Sequence, residues 1–398
     1  MTGDRGVPRM TGMGRTVLAT IGLAAFIAAV WSVSSARAEG DWEITRESQQ
    51  ALALGLDWLA RNQGPQGNWE SNDLGLVSTG ALAFLADGHL PGRGKYGQTV
   101  QRALDYVAQH AQASGLLNMS DARRGMYNHG LSTFVLGQAY GMSADQRISL
   151  ILDRALKLIA DTQCGDGGWD YVAQRQQRGH DLSLAVMQAL ALRSAVDSGL
   201  EVPPEVVELA IKSVREHYTP RDCPRHAGEE EQKRHPGQFT YSKGGGNSTV
   251  AMAAAGVVCL QEFGQYDDWR IEKSMQAIRR AVLSPDMEQA TRSRRLRLDP
   301  YTLYYVGQAL YQVGGEHWRE CYPALRANVV ASQVKETGSP ARDGGWRGSG
   351  HVSGKPGDLY ATSVACFVLA IPNRYLPILQ EGKIEALRAR FGQGAKKP

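Results

Sequence analysis

The turn Gln63-Gly-Pro-Gln-Gly67-Asn-Trp69 comes back as Gln163-Cys-Gly-Asp-Gly167-Gly-Trp169, and a shortened copy stands at Asp343-Gly344-Gly345-Trp346. Each copy ends a stretch that reads as helix and precedes a nearly charge-free one. A turn signature recurring at this scale marks an array of helical hairpins, in which each unit buries its apolar face only by stacking on neighbours.

The helices follow from apolar spacing. Val100, Ala103, Leu104, Val107, Ala108 and Ala111 mark one face at a 3.6-residue period, as do Ile148, Ile151, Leu152, Ala155 and Ile159. Amphipathic helices are predicted over about 45–62, 97–113, 146–163, 203–218, 269–283 and 317–335. Between them lie segments almost free of charge: Leu76 to Leu85, Leu131 to Ala139, Leu182 to Leu192, Thr249 to Leu260, Tyr301 to Leu310 and Tyr360 to Ile371. A helix apolar all round is buried on every side. Six such helices inside six half-exposed ones predict an all-α (α/α)6 toroid. The end segments are as apolar as the middle ones, which favours a closed ring over an open solenoid.

Before the repeats, Arg5, Arg9 and Arg15 precede an apolar run from Val17 to Val30, and Ala36-Arg37-Ala38 has the form of a cleavage site. This reads as a secretory leader over 1–38, with an uncleaved anchor as the alternative. One toroid domain would then occupy 39–398, with long loops at about 219–246 and 284–298 and a short tail, exported to the periplasm or secreted. Without the leader the chain carries 40 basic and 39 acidic residues. Nothing in that balance calls for a nucleic-acid partner. Of the five cysteines, Cys259 and Cys366 sit in apolar helices, while Cys164 and Cys223 are candidates for a disulfide. No zinc spacing, other metal motif or cofactor motif is present.

The Gln-x-x-x-Gly-x-Trp turns resemble those of the terpenoid cyclase and protein prenyltransferase superfamily, over roughly residues 45 to 380. The resemblance implies the toroid, but its chemical residues do not carry over. The Asp-x-Asp-Asp acid of squalene-hopene type cyclases is absent; Asp267-Asp268 follows a buried helix. At Asp299-Pro300-Tyr301 and Lys355-Pro356-Gly357-Asp358-Leu359-Tyr360-Ala361-Thr362 the prenyltransferase zinc site is matched only in part. Tyr301 and Ala361 stand where the resemblance implies a cysteine and a histidine. One carboxylate, Asp299, cannot by itself hold Zn²⁺ as N and S ligands do.

All inner-helix N-termini gather on one face of such a toroid, and helix N-termini favour anionic or carbonyl ligands. The catalytic candidates there are His129, His180, Asp181, Tyr241, Asp299 and Tyr301. The ligand-binding candidates are Asn128, Lys243, Asn247, Arg294, Arg295, His351, Asp358 and Tyr360. Asp and Asn at these positions also serve as helix caps, a role worth roughly 1 kcal/mol each. Three readings follow: a protein that binds a small molecule (lipid, isoprenoid or sugar) or a partner in its cavity without the family's catalysis; an enzyme of remodelled chemistry on an isoprenoid or polysaccharide; and a protein-interaction scaffold.

Overall fold

A computed structural model describes residues 42–335, 337–339, 342–348 and 357–380. The expected leader and His351 lie outside the described residues. Residues from Arg46 onward form one unit. Its helices alternate as the apolar pattern requires. Outer helices are α1 (Arg46–Asn62), α3 (Gly97–Gln109), α5 (Gln146–Thr162), α7 (Pro204–Arg215), α10 (Trp269–Val282) and α13 (Gly315–Ala331). Inner helices are α2 (Leu74–Ala86), α4 (Gly125–Ser143), α6 (Leu182–Asp197), α9 (Val250–Glu262), α12 (Pro300–Val313) and α14 (Gly357–Ala370). The inner helices pack side to side in the order α2, α4, α6, α9, α12, α14, and α14 returns to pack on α2 and α1. The ring is closed.

Each Gln-Gly-Trp turn is one bracket built three times. The Gln amide donates to the turn's own glycine carbonyl and to the next outer helix: Gln63 Nε2 to Gly67 O (3.1 Å) and Thr99 O (2.9 Å), Gln163 Nε2 to Gly167 O (3.0 Å) and Val206 O (2.9 Å). Gln333 does the same across the closure, to Gly344 O and to Ala51 O of α1, both at 2.8 Å. The tryptophan then donates back into its own outer helix, Trp69 to Leu59 O, Trp169 to Ile159 O and Trp346 to Val329 O, each at 2.8 Å. Glycine is required by approach as well as by angle. Gly67 has φ of +89°, and a Cβ there would lie 2.5 Å from Arg102 O. All three tryptophans are buried, so they staple adjacent hairpins.

The structure corrects several expectations. The segment 219–246 is not an open loop: it holds a two-stranded antiparallel ribbon, β1 (Tyr218–Pro220) on β2 (Gly237–Phe239), around a short helix α8 (Glu229–Gln232). The segment 284–298 contains helix α11 (Pro285–Arg292), with Ser284 as its N-cap and Pro285 in its first turn. Cys164 and Cys223, the candidate pair, are both free thiols. No helix among the described residues is long and apolar enough to cross a membrane.

Candidate functional site

Asp181 organises the inner rim. It has extended backbone before α6, and its Oδ1 accepts from Leu184 N (3.2 Å), which caps the helix. The same oxygen accepts from Ser183 Oγ at 2.5 Å. Its Oδ2 accepts from Tyr171 Oη at 2.7 Å and pairs with His180 Nδ1 at 2.9 Å. Tyr171 Oη also lies 3.0 Å from Tyr241 Oη, so a phenol from the next connection joins the carboxylate through Tyr171. Burial pushes the Tyr171 phenol far above its ordinary range, with the Asp181 charge adding to the effect. Tyr171 therefore stays protonated and donates.

A second group of phenols continues the cluster. Tyr127 Oη lies 3.3 Å from Tyr305 Oη across the ring, from α4 to α12. Tyr301 and Tyr305 are edge to face with centroids 4.9 Å apart, and Tyr304 packs edge-on against Tyr305 at 5.2 Å. Burial holds Tyr301, Tyr305 and Tyr360 well above the usual phenol range, and Tyr127 is pushed up to about 12. Beside Tyr127, Arg124 pairs with Asp73, the N-cap of α2, at 3.3 Å. His180, with a side chain 54% exposed, and the half-buried Tyr171, Tyr241, Tyr127 and Tyr301 leave this assembly open to solvent.

Of the six catalytic candidates, the fold brings His180, Asp181, Tyr241 and Tyr301 to this rim. His129 is elsewhere. Helix α4 begins at Gly125, so His129 lies inside the helix, fully buried, with Nδ1 accepting from Leu117 N (3.1 Å) and Nε2 facing Ala155 O (3.1 Å). It brackets two hairpins, and burial lowers it to about 4, so it is neutral. Asp299 spends both oxygens as a cap, accepting from Tyr301 N, Thr302 N and, at 2.6 Å, Thr302 Oγ1.

The ligand-binding candidates divide similarly. Tyr360 is buried among the rim phenols. Asn128 is buried and donates to Asn118 Oδ1 and Ser120 Oγ, which ties down the preceding loop. Lys243 bridges Asp166 (2.7 Å) and Glu216 (3.2 Å). Asn247 is exposed and is not the cap of α9, a role taken by Thr249. Asp358 is exposed and accepts from Gly348 N at 2.8 Å. Arg294 and Arg295 line a separate groove outside the rim.

Sequence reasoning missed Tyr171, Ser183, Tyr127, Tyr305 and the Asp73–Arg124 pair. Asp73 carried the same signal as Asp181, an Asp directly before an apolar run. Tyr171 carried none, because it reaches the rim from a loop. Among the described residues no group of three or more His, Cys, Asp and Glu side chains is arranged to hold a metal ion.

No family model and no curated protein sequence matches the chain. A solved structure does resemble it in fold, and a second was matched at a lower score. The GH76A α-1,6-mannanase from Salegentibacter sp. HEL1_6 superimposes with a TM-score of 0.51 at 9% identity, covering 85% of this chain and 100% of that one. The type II terpene cyclase MstE from Scytonema, solved with geranylgeranyl dihydroxybenzoate, gives a TM-score of 0.28 at 11% identity over 83% of this chain and 98% of its own. The first of these supports the all-α toroid. At such identity it carries no chemistry across, since unrelated functions share folds.

Proposed function

We propose that the protein binds a polyhydroxylated ligand, a carbohydrate, at the tyrosine-lined mouth of the toroid. The observation that carries this reading is the convergence of Tyr171, Ser183 and His180 on the single carboxylate of Asp181, with Tyr241 joined to it through the Tyr171 hydroxyl. Such a lining offers fixed donors and acceptors beside aromatic faces, which suits a ring with hydroxyls at its edge and C–H groups on its face. An isoprenoid would displace water from this cluster without bonding its remaining capacity, such as His180 Nε2, a penalty of roughly 1–3 kcal/mol for each group so desolvated. Export through the leader at 1–38 belongs to the same proposal and would place the mouth where extracellular glycans are met.

Binding without hydrolysis is the form we favour. Glycosidases commonly use two carboxylates, one on each side of the scissile bond. Here Asp73 is occupied by its cap and by Arg124, and Asp299 by its cap. Calorimetry or glycan-array binding with wild type and Asp181→Asn tests the reading. Equal saccharide binding by both proteins, with the variant still folded, would sink it.

One observation favours a second reading as an enzyme. With Nδ1 on Asp181, the Nε2 of His180 is left for solvent or substrate, the arrangement of a general base oriented by a carboxylate. Turnover of a polysaccharide, abolished by His180→Ala while binding persists, would establish it.

A further inference from the structure

A groove of about 630 Å³ opens beside the closure of the ring, lined by Arg294, Arg295, Leu296, Val334, Lys335 and Arg347 among others. The three segments that build it are the residues after α11, the end of α13 with its following turn, and the strand of chain after Trp346. Outer helices end and inner helices begin at this face, so the groove opens on the same face as the tyrosine mouth.

Its charge is one-sided. The lining holds four cations and no Asp or Glu. None of the four makes an ion pair or a side-chain hydrogen bond among the described residues, whereas the neighbouring Arg292 and Arg297 are paired with Glu288 and Asp286. Arg294 is held with φ of +53°, and the carbonyl of Arg295 accepts from Asn328 Nδ2 at 3.0 Å, so the outer helix anchors the segment that carries both guanidinium groups. The C-terminal end of α13 also lines the groove, but a helix C-terminus amounts to about half a negative charge, against four whole positive ones. The chain as a whole is nearly balanced, with 44 basic and 40 acidic residues, so this concentration is local.

We infer that this groove binds the charged groups of an acidic polysaccharide, one bearing carboxylates or sulfates along its length. The inference rests on the saccharide reading of the mouth and names the class of saccharide. Guanidinium forks pair bidentately with carboxylate and sulfate oxygens. Leu296, Val330 and Val334 give the same groove an apolar wall suited to the C–H face of a sugar ring. The volume exceeds that of one inorganic anion several-fold, and cations from three segments suit repeated charge.

The test compares binding of polygalacturonate, dextran sulfate and neutral dextran to the full chain, for wild type, Arg294→Gln/Arg295→Gln and Asp181→Asn. A control, Lys212→Gln/Arg280→Gln, removes the same charge from exposed outer-helix positions. The expected result is at least a tenfold loss of affinity for one acidic polymer in Arg294→Gln/Arg295→Gln and little change in the control, with a shallower salt dependence in the former. Binding of neither acidic polymer, or equal losses in the two double variants, would overturn the proposal. So would tighter binding of inorganic polyphosphate than of either polysaccharide. Unchanged acidic-polymer binding in Arg294→Gln/Arg295→Gln, together with loss in Asp181→Asn, would overturn the groove and leave the mouth standing.

Discussion

The two ends of α6 carry polar clusters of opposite character. At its start, Asp181 gathers phenols, a serine and an imidazole that remain in reach of solvent. At its end, about 24 Å away along the helix, Arg193 pairs with Asp197 at 2.9 Å, with side chains only 4% and 1% exposed. The carboxyl group of Glu262, last residue of α9, adds to this buried group and accepts from Gln312 of α12. Burial pushes the Glu262 carboxyl up to about 8 against the pull of Arg193, so it holds its proton at neutral pH. The open cluster spreads one charge over several neutral donors and can exchange a water for a ligand hydroxyl. The closed cluster matches one cation to one anion and a neutral acid, and is built to lock three inner helices together. Polar groups on a ring axis are therefore no sign of a site by themselves; exposure and spare bonding capacity distinguish one.

The largest expected effect lies at the closed end. Arg193→Met leaves Asp197 buried without its cation, and unfolding by denaturant should show a loss of about 3–5 kcal/mol. A loss under 1 kcal/mol would mean that the buried pair contributes little. Next comes pH. The unfolded Glu262 releases its proton near 4.5, the folded one near 8, so the folded state binds more protons between those values. Stability from this group is full below pH 4.5 and is lost as pH rises to about 8, by at most ~1.4 kcal/mol per unit. His129, lowered to about 4, acts oppositely, with stability lost as pH falls from 6.5 towards 4. The difference between wild type and Glu262→Gln, measured across pH 5–8 by chemical unfolding, isolates the first slope; parallel curves would refute it.

At the open end, stability effects should be smaller and binding effects larger. Asp181→Asn keeps an oxygen for the helix cap and should cost about 1 kcal/mol of stability, while saccharide affinity falls tenfold or more. Smallest is Tyr127→Phe, which removes one phenol contact at 3.3 Å and should change stability by less than about 1 kcal/mol. A loss from Tyr127→Phe as large as that from Arg193→Met would erase the distinction between the two ends.

Much of the architecture was legible because it is carried by local pattern. The apolar runs starting near Leu76, Leu131, Leu182, Thr249, Tyr301 and Tyr360 all became inner helices, and the three tryptophan turns became brackets of one geometry. Gly115 approaches Arg154 with φ of +90° as Gly67 approaches Arg102, but Gln112 donates instead to Asn118 O and Leu117 stands in the tryptophan's place, so the bracket is not repeated there. The site was legible at Tyr241, which lies in the long connection before α9, and where its residues sit at helix starts. His180 and Asp181 were found that way, and so was His129, which the extra turn of α4 carried into the core. Tyr171 and Tyr127 were invisible, since no sequence spacing relates residues that meet across a ring.

The sequence by itself determined that this chain is a closed ring of helical hairpins, because burial period and turn chemistry act over a few residues. Which polar side chains became brackets, which became a buried lock and which were left open at the mouth was decided only by tertiary structure. Those roles depend on exposure and on partners tens to hundreds of residues away, such as Tyr305 for Tyr127 and Ala51 for Gln333.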